Sequence, residues 1–130
     1  ELLRDGDDAA LIAVGSTVHV AMEAAADLAG DGISVAVLNA RFVKPMDEDA
    51  IASLARRCGV VVTVEEHAAM GGFGSAVLEV LAAHAVDVPT RCLGVPDRLV
   101  EHGQTTKALG LDASGIAAAT RSLMGQAESS

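Results

Sequence analysis

The sequence predicts an α/β fold in which a mostly parallel sheet is covered by helices on both faces. Short apolar runs rich in β-branched residues alternate with longer segments in which apolar residues recur every three or four positions. Continuous apolar runs are typical of strands buried on both faces, and the second pattern is typical of amphipathic helices. Because the two alternate along all 130 residues, we expect parallel strands joined by right-handed crossovers in a single domain, residues 1–130.

The first strand and helix are predicted within residues 9–30. The apolar run 9–15 lies between acidic residues and the pair Gly15-Ser16, which marks the end of a strand. We expect Ser16 or Thr17 to cap the helix that follows and Gly30 to end it. Its apolar face is predicted to carry Val18, Ala21, Met22, Ala25, Leu28 and Ala29.

A second unit follows, with a strand at residues 33–39 and a helix that begins at Asp47. Two more acidic residues lie in the first turn of this helix, and Arg56 and Arg57 lie in its last turn before Gly59. That distribution of charge suits the helix dipole, and a glycine at this position is typical of a helix end. The residues predicted to point inward are Ile51, Leu54, Ala55 and Cys58.

The third and fourth strands are predicted at residues 60–64 and 88–95, with a helix between them. This helix follows the glycine-rich segment 71–75, and its apolar side is predicted to consist of Ala76, Val77, Leu78, Leu81 and Ala85. Asp112 should cap a last helix, and residues 125–130 should fray. The inward residues of the last helix are predicted to be Ile116, Ala119, Thr120 and Leu123.

Composition excludes several classes of function. The net charge of −9 disfavours binding to nucleic acid or to an anionic membrane surface. No apolar run approaches the roughly 20 residues that cross a bilayer. The two cysteines, Cys58 and Cys92, and the four histidines lack metal-ligand spacing, so we predict no metal site and free thiols in a reducing compartment, the cytoplasm.

The start of the chain has neither a Met nor a secretory leader, which suggests a piece of a longer protein.

A glycine-rich turn after the third strand is the most distinctive local feature. In an open parallel sheet, ligands bind beside the carboxyl ends of strands, and the first turn of a helix offers backbone N–H groups to an anion. The alternative is that the glycines only allow tight packing or a positive φ. The predicted anion loop consists of Gly72, Phe73, Gly74 and Ser75.

Charged side chains lie close to this turn and to the end of the second strand. Glu65 and Glu66 are adjacent on an extended chain, so their side chains point to opposite sides and cannot act as a paired acid and base. His67 and His102 fit either proton transfer or a structural hydrogen bond. Arg41 and Lys44 fit either phosphate binding or ion pairs across a subunit contact. We therefore assign no catalytic residue from these patterns.

An ordered series of motifs runs through most of the chain. From about residue 5 to residue 124 the chain carries, in order, RFVKPMD at 41–47, VTVEEH at 62–67, GGFGSAV at 71–77, GVPD at 94–97, EHG at 101–103 and GLD at 110–112. Taken together, this series resembles the C-terminal domain of 1-deoxy-D-xylulose-5-phosphate synthases, which are related to transketolase. Transketolases and the β subunits of 2-oxo acid dehydrogenases share the Lys-Pro-x-Asp and Val-Glu-Glu portions. The Pro-Asp and Glu-His-Gly portions favour the synthases.

The resemblance implies a three-layer α/β/α sandwich whose five-stranded sheet has one antiparallel edge strand. It also implies a parent enzyme that condenses pyruvate with glyceraldehyde 3-phosphate, using thiamine diphosphate and Mg²⁺ held by the preceding domains. In that case this chain has no catalytic, cofactor or metal residue of its own, and its partners are the preceding domains and a second copy. The predicted contact residues are Arg41, Phe42, Lys44, Glu65, Glu66, His67, Met70, Phe73 and His102.

Two alternative functions remain open at this stage. The domain can be the equivalent part of a transketolase or of a 2-oxo acid dehydrogenase β subunit, since these families share some of the motifs. It can also be a regulatory module that binds an anion or a nucleotide through the backbone N–H groups of the glycine-rich turn.

Overall fold

The structure, a computed structural model, describes residues 1–40, 47–66, 71–95 and 112–129. Its sheet has the strand order β1-β3-β2-β4-β5, in which β1 is antiparallel to β3 and all other neighbours are parallel. This confirms the mostly parallel sheet and its single antiparallel edge strand. The strands are β1 (Leu2–Arg4), β2 (Ala9–Val14), β3 (Val35–Ala40), β4 (Val61–Glu66) and β5 (Thr90–Val95).

The helices form two layers, one on each face of the sheet. They are α1 (Val18–Gly30), α2 (Glu48–Cys58), α3 (Gly72–Ala83) and α4 (Ala113–Ser129), and a single 3₁₀ turn at Gly15–Thr17 precedes α1. Helices α1 and α4 pack against each other on one face, and α2 and α3 pack against each other on the opposite face. The predicted three-layer sandwich is therefore confirmed.

The central strand β2 shows why the apolar runs have no polar alternation. Leu11 points into the core beneath α1 and α4, whereas Ile12 points into the core beneath α2 and α3. Both side chains are fully buried. A strand covered on both faces needs apolar residues at every position, and the small residues Ala9, Ala10 and Ala13 beside them let the helices lie close to the sheet.

Both ends of α2 form as the sequence predicts. The Asp47 carboxylate accepts a hydrogen bond from the backbone N–H of Ala50 at 3.2 Å, as an N-cap residue should. At the other end Gly59 adopts φ 73°, and its N–H donates to the carbonyl of Ala55. The four residues predicted to point inward, Ile51, Leu54, Ala55 and Cys58, are all buried.

The Asp47 cap gives a prediction about stability. Asp47→Ala should lower the free energy of unfolding by about 1 kcal/mol, because the first turn of α2 loses the acceptor for one N–H group. Urea denaturation followed by circular dichroism would measure the change. Asp47→Ser keeps an acceptor oxygen and should recover most of the loss; equal losses for the two variants would contradict the capping role.

Several details of the helices differ from the sequence-based expectation. Ala29 and Ala85, predicted on apolar helix faces, are exposed, and Ala85 lies beyond the end of α3. Neither Ser16 nor Thr17 caps α1, because both hydroxyl groups are bonded elsewhere. Leu78 is 45% exposed, since the buried side of α3 follows Phe73, Val77, Val80 and Leu81. Helix α4 continues to Ser129, with no proline to interrupt it, and the fraying of residues 125–130 stays a prediction.

Strand β1 was not predicted from local patterning. It has only three residues, and its side chains are mostly exposed, so it carries no run of buried positions. Leu2 and Leu3 are 46% and 38% exposed. The strand is held by pairing with β3 and by the backbone N–H of Asn39, which donates to the carbonyl of Glu1 at 2.7 Å.

Candidate functional site

The candidate site lies where β2 and β4 end side by side. The chain leaves β2 through α1 to the neighbouring strand on one side, and it leaves β4 through α3 to the neighbouring strand on the other side. A crevice between two such strands is where open α/β sheets commonly bind ligands. The side chains at these two strand ends therefore decide what the domain can bind.

The end of β4 supplies a buried carboxylate to the first turn of α3. The side chain of Glu65 is only 1% exposed. One of its oxygens, Oε1, accepts a hydrogen bond from the backbone N–H of Phe73 at 3.2 Å, and Oε2 accepts one from that of Gly74 at 2.9 Å. The first turn of a helix carries unpaired N–H groups and a partial positive charge. The anion bound by this glycine-rich turn is thus the chain's own Glu65.

Two glycines in the turn have clear geometric roles. Gly71 precedes α3 with φ 99°, a conformation that other residues rarely adopt. A Cβ atom at Gly74 would lie 2.8 Å from Sγ of Cys92 and 3.1 Å from Oε2 of Glu65. Tight packing is therefore required at Gly74, and it serves to bring α3 close enough for the carboxylate to reach its N–H groups.

The end of β2 is joined to the end of β4 by two hydroxyl groups. The hydroxyl of Ser16 donates to Oε1 of Glu66 at 2.8 Å. Oγ1 of Thr17 lies 2.7 Å from the carbonyl oxygen of Val14 and 3.0 Å from that of Val64, and its residue is only 2% exposed. These contacts connect the two strands at the mouth of the crevice.

A scan against protein-family models matches residues 1–116 to the model described as "Transketolase, C-terminal domain". The chain belongs to the transketolase C-terminal domain family. Its relatives include "1-deoxy-D-xylulose-5-phosphate synthase 1" of Geobacter sulfurreducens, which is 53% identical over 128 residues that cover 95% of this chain and 20% of the relative. The synthase of Magnetococcus marinus is 52% identical over 130 residues, covering 95% of this chain and 21% of the relative. The chain thus spans about a fifth of the length of these relatives.

Solved structures of the family have the same fold. A chain described as "Split gene transketolase, inactive beta4 tetramer" superimposes with a TM-score of 0.80 at 36% identity, covering 96% of this chain and 42% of that one. A Pichia stipitis transketolase superimposes with a TM-score of 0.58 at 17% identity, covering 99% of this chain and 18% of that one. At that identity the second comparison shows the fold alone. The resemblance seen in the sequence motifs is confirmed by these matches.

The predicted site residues of this transketolase C-terminal domain fall into three groups. Glu65, Phe73 and Gly74 are buried, whereas Gly72 and Ser75 are exposed and Glu66 is partly exposed. The two glutamates engage different partners, as their adjacency predicted. Because Glu65 and Phe73 are each 1% exposed, their predicted role as surface contacts is corrected to packing within the chain. Six predicted residues lie outside the described ranges: Arg41, Phe42, Lys44, His67, Met70 and His102.

Sequence reasoning missed the contributions of Ser16, Thr17 and Cys92 to this site. Ser16 and Thr17 lie in a strand-to-helix turn, where a serine or threonine predicts a helix N-cap. Cys92 is far from the glycine-rich turn in sequence, and only the pairing of β4 with β5 brings it beside α3. The glycines of the GGFG segment indicated close packing of α3, but the sequence did not show that Cys92 is one of the residues packed against Gly74.

The remaining chemistry of the described residues is sparse. Within residues 1–40, 47–66, 71–95 and 112–129, no three metal-ligating side chains come together, and no helix is long and apolar enough to cross a membrane. Cys58 and Cys92 are free thiols. Burial raises the pKa of the Cys58 thiol, an effect that the neighbouring Arg57 partly offsets.

Proposed function

We propose that this chain is the C-terminal assembly domain of a thiamine diphosphate-dependent 1-deoxy-D-xylulose-5-phosphate synthase, inactive on its own. The parent enzyme would condense pyruvate with glyceraldehyde 3-phosphate to give 1-deoxy-D-xylulose 5-phosphate and CO₂, in the cytoplasm, for isoprenoid and thiamine synthesis. The partners of the domain would be the preceding domains and a second copy of the chain. Support comes from relatives about 50% identical that carry this name and of which the chain matches about a fifth.

The observation that carries the assembly role is the occupation of the α3 N-terminus by Glu65. A domain that binds a phosphorylated substrate or cofactor in this fold uses free N–H groups at such a position. Here the N–H groups of Phe73 and Gly74 donate to the Glu65 carboxylate instead. The strand ends beside it are joined by Ser16 and Glu66. In the described part of the chain, these polar groups therefore bond to each other and stabilise its own fold.

The described residues do not fit thiamine diphosphate with its divalent metal. Such a site needs several oxygen or nitrogen ligands for the cation and donors for the diphosphate. No cluster of three metal-ligating side chains lies within the described ranges, and two N–H donors of the α3 turn are already bonded to Glu65. No step of the reaction is therefore assigned to this chain.

A second observation favours assembly. The solved relative that is 36% identical is named as the inactive β4 tetramer of a split-gene transketolase. A chain of this family can thus associate with itself without being active. We infer the same property here: the isolated chain contributes contacts, and activity needs the rest of the enzyme.

Reconstitution tests the proposal. The chain should be co-expressed with a Geobacter sulfurreducens synthase truncated to remove the matching region, and CO₂ release from pyruvate should be measured with glyceraldehyde 3-phosphate present. We expect activity only when both parts are present. The chain alone should neither release CO₂ nor bind thiamine diphosphate and Mg²⁺ in calorimetric titration. Activity or cofactor binding by the chain alone would contradict the assembly role.

Controls separate the parent families. Truncated transketolase and a 2-oxo acid dehydrogenase β subunit without its C-terminal domain should stay inactive when paired with this chain. Arg41→Glu and Lys44→Glu change two predicted contact residues, and they should lower the reconstituted activity while leaving the melting temperature of the isolated chain unchanged. Reconstitution with a transketolase instead would reassign the parent.

An anion- or nucleotide-binding module is the second candidate function. It requires an external anion to replace Glu65 or to use the exposed Gly72 and Ser75. Titration with phosphate and with nucleotides, followed by the amide chemical shift of Gly74, tests this idea. We expect no shift change, since that amide donates to Glu65 at 2.9 Å; a saturable change would support the module.

A further inference from the structure

A small polar cluster lies between the sheet and α3, on the side of the sheet covered by α2 and α3. Thr63 on β4 is the register partner of Cys92 on β5, so the two side chains project from the same face of neighbouring strands about 4.8 Å apart. Sγ of Cys92 packs against Gly74, where a Cβ atom would come within 2.8 Å of it. The Cys92 thiol therefore lies against Gly74 of α3, on the same face of the sheet as the neighbouring Thr63.

Thr63 is the unusual member of this cluster. Its side chain is fully buried, and Oγ1 has no hydrogen-bond partner among the described residues. A buried hydroxyl without a partner costs about 1–3 kcal/mol. Valine has nearly the same shape and would avoid that cost, so the hydroxyl is placed to bond a polar atom that reaches it from a neighbouring group.

We propose that Cys92 is a site of oxidation by hydrogen peroxide, and that the Thr63 hydroxyl binds the oxygen of the resulting sulfenic acid. In the reaction an S–O bond forms and the O–O bond of the peroxide breaks. The thiol sulfur is oxidised, the peroxide is reduced, and the thiol proton leaves with the second oxygen as water. Because Gly74 closes the α3 side of the sulfur, the added oxygen is directed away from that helix.

The two cysteines of the chain differ in ways that make this modification selective. Cys92 lies on the edge strand β5 and is partly exposed, whereas Cys58 is the buried last residue of α2. The Cys58 thiol donates to the carbonyl of Gly6 at 3.4 Å, and burial raises its pKa. The thiolate is the reactive form. Cys58 is therefore an internal control that should stay reduced under conditions that oxidise Cys92.

Trapping with dimedone tests the proposal. The chain would be treated with hydrogen peroxide in the presence of dimedone, digested and mapped by mass spectrometry. We expect the adduct on Cys92 and none on Cys58. Oxidation first and dimedone later would then report how long the sulfenic acid persists, and Thr63→Val should shorten that lifetime by roughly tenfold through loss of one hydrogen bond.

The variants make the test decisive. Thr63→Ser keeps the hydroxyl and should keep a long lifetime, and Cys92→Ser should abolish trapping. Thr63→Val should fold with an unchanged or higher melting temperature, because it removes an unpaired buried hydroxyl. Trapping at Cys58 as strong as at Cys92, absence of any adduct, or an equal lifetime in Thr63→Val and the wild type would each overturn the proposal.

Discussion

Replacing Glu65 with alanine is expected to lower the free energy of unfolding by about 4 kcal/mol. The change leaves the N–H groups of Phe73 and Gly74 without their acceptor in a buried place, and hydrogen bonds to a charged group contribute about 1.5–3 kcal/mol each. It also removes a negative charge from the positive end of α3. Urea denaturation would measure the loss. Because the chain has no tryptophan, unfolding would be followed by far-ultraviolet circular dichroism.

Two other substitutions show whether the carboxylate is responsible. Glu65→Gln retains one acceptor oxygen of similar position, so we expect roughly half of the loss. Glu66→Ala is the matched control, since among the described residues its partly exposed side chain bonds only to the exposed Ser16, and it should cost less than about 1 kcal/mol. An equal loss of stability in Glu66→Ala and Glu65→Ala would contradict this prediction, because the buried bonds from α3 to Glu65 would then contribute no more than an exposed bond.

The Glu65 contact also marks how far the sequence predicts this site. Local patterns identified β4, the start of α3 and an anion-binding geometry in the glycine-rich turn. They did not identify the anion, because the bond joins residues eight and nine positions apart across the turn from strand to helix. Whether Glu65 or Glu66 faces the helix depends on which side of the sheet α3 crosses, and alternation along β4 leaves both possibilities open.

The fold was more predictable than the site for a physical reason. Strands β2 to β5 and all four helices are specified by burial of their own side chains, which leaves a periodic pattern in the sequence. Strand β1 has no such pattern, since it depends on backbone pairing with β3. The phase of α3 was also misjudged at Leu78, because in a helix of mostly apolar residues the pattern does not single out one face.

Gly6→Ala is the second change for which we expect a large effect. Gly6 is buried in the link between β1 and β2. An added Cβ atom would lie 2.4 Å from the carbonyl carbon of Val35 and 2.7 Å from the backbone nitrogen atoms of Val35 and Ala36. These are backbone atoms of the segment that forms β3, so no side-chain rotation relieves the overlap. The link and β3 must move apart, and we expect a loss of about 3 kcal/mol or more.

The expected damage extends to the edge strand. The carbonyl of Gly6 accepts hydrogen bonds from Arg57 at 3.2 Å and from the Cys58 thiol at 3.4 Å, which fix the link against the end of α2. Displacement of Gly6 should break these bonds and detach β1 from β3. Hydrogen exchange at the Asn39 amide, which donates to Glu1 across that pairing, should therefore accelerate beyond what the loss of global stability explains.

Gly30→Ala is the matched control for this prediction. Gly30 is the last residue of α1, and a Cβ atom there would meet nothing within 4 Å. Alanine is favoured over glycine in helices by up to about 1 kcal/mol, so this variant should be neutral or slightly more stable. If Gly6→Ala behaved like Gly30→Ala, the link would have room to move. The close approach of Gly6 to β3 would then not be what holds the antiparallel edge strand in place.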